Sequence, residues 1–98
     1  MIIRIFQVTT HPGKEKEFSE FFHNTAIPLM NSTDGIVSIL PGAARPETPN
    51  EFSFVMVWKD LDALKAFVGE DYNSPHIAPE EAELVAARHI RHYDLVEM

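Results

Sequence analysis

Two strand-like segments of this chain are apolar on both faces, so a sheet built from them cannot leave either face to water. Residues 1–10, MIIRIFQVTT, place Ile3, Ile5, Gln7 and Thr9 on one side and Ile2, Arg4, Phe6 and Val8 on the other, because successive side chains of a strand alternate. Residues 51–58, EFSFVMVW, place Phe52, Phe54, Met56 and Trp58 on one side and Ser53, Val55 and Val57 on the other. An antiparallel sheet with one wet face alternates apolar with polar; these strands do not. A chain of 98 residues is the size of one domain, and its helices cover one face only. The second face then calls for a second copy of the same sheet, packed face to face in a two-fold dimer. Against a dimer stand Ser53, Gln7 and Arg4, the polar residues with which a monomer would keep that face wet.

The remaining segments set the architecture. His11-Pro12-Gly13 is a turn. From Lys14 the spacing becomes helical, with Phe18, Phe21, Phe22, Thr25 and Leu29 on one stripe and Lys14, Glu15, Lys16, Glu17 and Glu20 on the wet side. Pro28 removes the backbone bond to the Asn24 carbonyl and kinks or splits this helix. Asp34-Gly35 closes it as a turn, and residues 36–40 form a short second strand. Residues 41–50, PGAARPETPN, are a loop. Asp60 caps a helix through Leu61, Leu64, Ala66, Phe67 and Val68, stopped by Gly69. Pro79 opens a short helix whose Glu80 and Glu81 complement its dipole. Residues 88–96 alternate as a last strand. The order strand, helix, strand, strand, helix, short helix, strand is the split β-α-β, ferredoxin-like α+β arrangement. It predicts one domain over residues 1–98, a four-stranded antiparallel sheet with helices on one face.

Composition removes several function classes. With no cysteine there is no disulfide, thiolate metal site or cysteine nucleophile. A net charge of -7 repels phosphate backbones and anionic membranes, so neither nucleic acid nor membrane is an expected partner. No apolar run reaches the roughly 18 residues of a membrane span, and no secretory leader opens the chain, so a cytoplasmic location is expected. His89 and His92 point to opposite faces of a strand, and His23 has no ligand partner at helical spacing; no metal site is expected. A phosphate-binding glycine loop and a nucleophile elbow are also absent.

The pattern resembles the antibiotic biosynthesis monooxygenase family of dimeric α/β-barrel domains. The residues that carry the likeness are HPGKEKEF leading into the first helix, DGIVSI at the second strand, FSFVMVWKDLDALKAF at the third strand and following helix, and SPH after that helix. The resemblance implies two sheets closing a barrel across a homodimer, with a pocket in each subunit between sheet and helices. Some members oxidise polycyclic phenols with molecular oxygen and no cofactor; others degrade haem. The haem-degrading branch resembles an asparagine, tryptophan and histidine constellation. Here His76 fits the histidine, whereas Phe67 and Gln7 stand at the tryptophan and asparagine positions.

Within that frame His76 is the candidate catalytic base. It follows Tyr72, Asn73, Ser74 and Pro75, and an imidazole near neutral pH can take a phenol's proton; the bland alternative is a loop histidine facing solvent. Trp58 offers a stacking plane and one donor to a flat substrate, or packs as core. Phe22 and Phe67 line the helix side of a pocket or are plain core, and Tyr72 orients a ring. Gln7 points into the pocket or into the dimer seam. Arg91 and Tyr93 share a strand face and meet either a substrate or acidic residues across the dimer. The expectation is a cofactor-independent monooxygenase acting on an aromatic or quinone-forming molecule. A non-catalytic small-molecule-binding or structural dimer is the second reading and haem degradation the third.

Overall fold

The computed structural model describes residues 1–74 and 79–98. Nine residues, Ile2–Thr10, form β1, and Glu15–Phe21 form α1. A wider, π-type turn over Phe22–Ala26 leads directly into α2, Ile27–Asn31. Then come β2 (Ile36–Gly42), β3 (Glu51–Trp58), α3 (Leu61–Val68), a single-turn α4 (Pro79–Ala82) and β4 (Val85–Asp94). The strands lie in the order β2-β3-β1-β4, with all pairs antiparallel. The sheet is thus the α+β, ferredoxin-like sheet anticipated from the element order, with β1 and β3 at its centre.

Register determines which side chains meet the helices. Arg4 pairs with Met56, Phe6 with Phe54 and Val8 with Phe52, while β4 sets His92 beside Arg4 and Ile90 beside Phe6. Phe52, Phe54, Met56 and Trp58 are all buried on this face, together with Phe18, Phe22 and Leu64 from the helices. Ile3, Ile5, Val55 and Val57 share the opposite, uncovered face with Gln7, His89, Arg91 and Tyr93. Leu40, paired with Val55, is 65% exposed and Tyr93 54%.

The first helix departs from simple periodicity. A proline lacks the N–H that an α-helical ladder needs and crowds the carbonyl four residues back. The chain widens the turn ahead of Pro28, and the Ile27 N–H reaches back five residues to the Phe22 carbonyl. One extra residue in the turn rotates the rest of the helix by about 100°. Thr25 and Leu29, expected on the buried stripe, are therefore exposed, and Ala26 and Met30 pack against the core instead. Turns elsewhere follow their sequence. Asp60 Oδ1 accepts from the Ala63 amide at 2.8 Å and caps α3. Gly35 holds φ at +90° where a Cβ would sit 2.6 Å from the Ala63 Cβ; only glycine fits that approach.

Candidate active site

Between the sheet and the helices lies a cavity of about 80 Å³. Phe54 and Met56 rise from β3, Arg4 and Phe6 from β1, and Ala26 and Met30 close the helix side, with Phe67, Val68 and Glu81 at the margins. A smaller hollow of about 40 Å³ adjoins it, shares Phe6, Ala26, Phe54 and Glu81, and runs toward Phe22 and Phe18. The wide turn ahead of Pro28 delivers both Phe22 and Ala26 to these hollows. The walls are apolar apart from a few polar groups, the composition of a small-molecule site.

Arg4 is the unusual member. It is 3% exposed, and none of the ion pairs among the described residues includes it. Its Nη1 donates to the Tyr72 carbonyl at 2.7 Å and lies 2.9 Å from His92 Nε2. A guanidinium has no acceptor atom, so His92 Nε2 accepts and the imidazole is neutral. Burial holds the Arg4 guanidinium below its ordinary pKa. Burial, and then the charge of Arg4, push His92 down as well. The Tyr72 ring meets the His92 ring edge-on, with centroids 5.1 Å apart. On the other margin, buried Glu81 accepts from Arg88 Nε at 3.1 Å. The short helix thus uses Glu81 in a buried ion pair with β4, where sequence suggested a helix-dipole partner.

The residues singled out from sequence divide as follows. Phe67 and Phe22 line the larger and the smaller hollow respectively. Tyr72 reaches Arg4 through its backbone carbonyl, while its ring lies in a shallow depression with Ile2, Leu61 and His92. Trp58 is fully buried, lies tilted against Phe67 with ring centroids 5.6 Å apart and is not among the cavity's lining residues. Its indole Nε1 has no partner among the described residues. Gln7 lies on the uncovered face and donates to Glu51 Oε2 at 3.1 Å, because the odd-numbered residues of β1 all point away from the helices. His76 lies outside the described residues. Arg4 and His92 are the site residues that sequence reasoning missed. The available signal was one charged residue among Ile2, Phe6 and Val8 on the face that pairs with the most aromatic strand.

The sheet and its helices have the fold of a known family. Residues 1–78 match the antibiotic biosynthesis monooxygenase model. The chain belongs to the antibiotic biosynthesis monooxygenase family. No curated protein matches it in sequence. Among solved structures it is similar to protein SO0527 from Shewanella oneidensis, with a TM-score of 0.76 and 20% identity over 94% of this chain and 87% of that one. It is likewise similar to NE2512, a protein of unknown function from Nitrosomonas europaea, with a TM-score of 0.74 and 17% identity over 99% and 90% of the two chains. A third likeness is to a structure described as an antibiotic biosynthesis monooxygenase, with a TM-score of 0.76 and 14% identity over 99% and 100%. At these identities the likeness is one of fold, and fold does not select a reaction. In this member of the family His92, the partner of Arg4, lies beyond the matched residues. Among the described residues no helix is long and apolar enough to cross a membrane, and no cluster of three or more histidine or carboxylate groups could hold a metal ion.

Proposed function

We propose that this chain is a cofactor-independent monooxygenase that takes an aromatic, phenol-type small molecule into the cavity between sheet and helices. The observation that carries the reading is an apolar cavity lined by Phe6, Phe54, Met56 and Phe67 with a buried guanidinium in its wall. His76 is the base. It stands four residues after Tyr72 and five before Glu81 in the sequence, and these two touch Arg4 and the cavity. A phenol that loses its proton becomes an electron-rich ring able to reduce oxygen. Oxidation to a quinone then forms one carbon–oxygen bond, breaks the O–O bond, and sends the second oxygen to water with the two hydrogens lost. The substrate supplies all four electrons. Phe22 and Phe67 orient the ring and limit water, Tyr72 acts on the site through its carbonyl on Arg4, and Trp58 packs against Phe67.

The cavity volume bears on substrate size. About 80 Å³ is below the roughly 150 Å³ of an engineered apolar cavity that admits benzene. A ring therefore enters with movement of flexible side chains such as Met30 and Met56, and a porphyrin would need a far larger opening than a single ring. The same volume supports the second reading, a binder without catalysis. Homodimerisation through the uncovered sheet face belongs to the proposal; Leu40, Val55, Val57, Ile3 and Ile5 form its apolar centre. Purified protein mixed with 1-naphthol in air should consume one oxygen per quinone formed, and His76→Ala should abolish uptake. No uptake refutes the oxygenase reading in favour of binding alone, and an unchanged rate in His76→Ala removes that residue as base.

A further inference from the structure

A guanidinium carries five N–H donors. In Arg4 both hydrogen bonds leave from Nη1, one to the Tyr72 carbonyl and one to His92 Nε2. The protons on Nη2 and Nε engage no described group, and the side chain lines the apolar cavity. The other charged group at the margin, Glu81, already accepts from Arg88. A buried cation with no carboxylate partner among the described residues is an expensive arrangement. It is also a preorganised receptor for an anion, since the charge is in place and water is largely excluded.

We infer that Arg4 is the specificity-determining residue of the cavity, selecting aromatic molecules that carry an ionised oxygen (a phenolate or enolate) and binding that oxygen through the Nη2 and Nε side of its guanidinium. Tyr72 and His92 are its positioning residues. Each takes one Nη1 proton and so aims the free edge of the fork at the ring's oxygen. The inference rests on the cavity's being the substrate site, and it adds the ionic form of what is bound. Selection of the anion also serves the reaction, because the ionised ring is the species that reduces oxygen.

The test uses 4-nitrophenol, whose phenolate is yellow, with the intact protein. The wild type should bind the phenolate, so that the ionisation midpoint of the bound dye falls at least one pH unit below that of the free dye. That corresponds to at least a tenfold preference for the anion. Arg4→Gln should lose about ten- to hundredfold in phenolate affinity, the worth of one or two charge-assisted bonds. Its bound midpoint should be unshifted or raised, and Arg4→Lys should recover part of the effect. Preferential binding of the neutral phenol by the wild type, equal phenolate affinity in Arg4→Gln, or no binding of either form overturns the inference. The wild-type midpoint alone decides if the variants do not fold. Phenolate binding without oxygen chemistry would refute the oxygenase reading and leave this inference standing. Oxygen uptake with binding of the neutral phenol would do the reverse.

Discussion

Replacement of Arg4 by methionine should stabilise the protein while removing its affinity for anions. The guanidinium is 3% exposed without a carboxylate partner among the described residues, and desolvating such an ion costs several kcal/mol. Two charge-assisted bonds, to the Tyr72 carbonyl and His92 Nε2, return about 1.5–3 kcal/mol each, so the two sides nearly cancel. Methionine removes both and adds about 1.5–3 kcal/mol of apolar burial among Phe6, Met56 and the cavity wall. The abandoned acceptors sit on half-exposed residues, where water re-pairs them at a cost of up to about 1 kcal/mol. The net gain is about 1–2 kcal/mol, or roughly 5–10 °C in Tm for a domain of this size. Guanidinium and thermal unfolding followed by circular dichroism, at one fixed protein concentration, measure it. The m-value should be unchanged. A loss of 2 kcal/mol or more would refute the reasoning, because it would make Arg4 a structural strut whose bonds outweigh its desolvation. Such an opposition between stability and binding is expected where a site is strained for function.

Three further outcomes follow from the same structure. Gly35→Ala should destabilise by about 2–4 kcal/mol, combining the positive φ with the 2.6 Å approach to Ala63, whereas Gly13→Ala, with a positive φ and open space, should lose about 1 kcal/mol; equal losses on chemical unfolding would contradict this. His92 is held below its ordinary value by burial and by Arg4, so the fold favours the neutral ring. That contribution is full above about pH 6.5 and is lost as pH falls through the lower folded value. His92→Gln should therefore flatten the acid limb of a stability profile taken between pH 5 and 8, and an unaltered limb would contradict it. Val55→Lys, at the centre of the uncovered face, should convert a species of twice 11.1 kDa into a folded monomer on sedimentation. A wild type that already sediments as a monomer would remove the proposed dimer.

Much of the sheet was legible from alternation alone. Phe52, Phe54, Met56 and Trp58 share one face in sequence as in structure, because every second residue of β3 is large and apolar. Asp60 and Gly35 announced their turns through local chemistry that needs no distant partner. The register of the first helix past Phe22 was not legible, since 3.6-residue periodicity has no place for the extra residue that Pro28 induces. Gln7 was correctly grouped with Ile3 and Ile5. Which of the two apolar faces would receive the helices is decided by packing, and Gln7 came to lie away from the cavity. Arg4 is the deeper case. A lone charge on an apolar strand reads as solvated, and its burial depends on groups 68 and 88 residues distant, Tyr72 and His92.

The chain contains four methionines, and their positions provide a direct test of where a ligand sits. Met30 and Met56 line the cavity, whereas Met1 and Met98 are exposed and are not among its lining residues. In protein labelled with ¹³C at the methionine methyl groups, titration with 4-nitrophenolate should shift the Met30 and Met56 signals and leave Met1 and Met98 in place. Unchanged Met30 and Met56 signals at saturating ligand would place binding elsewhere and contradict the account.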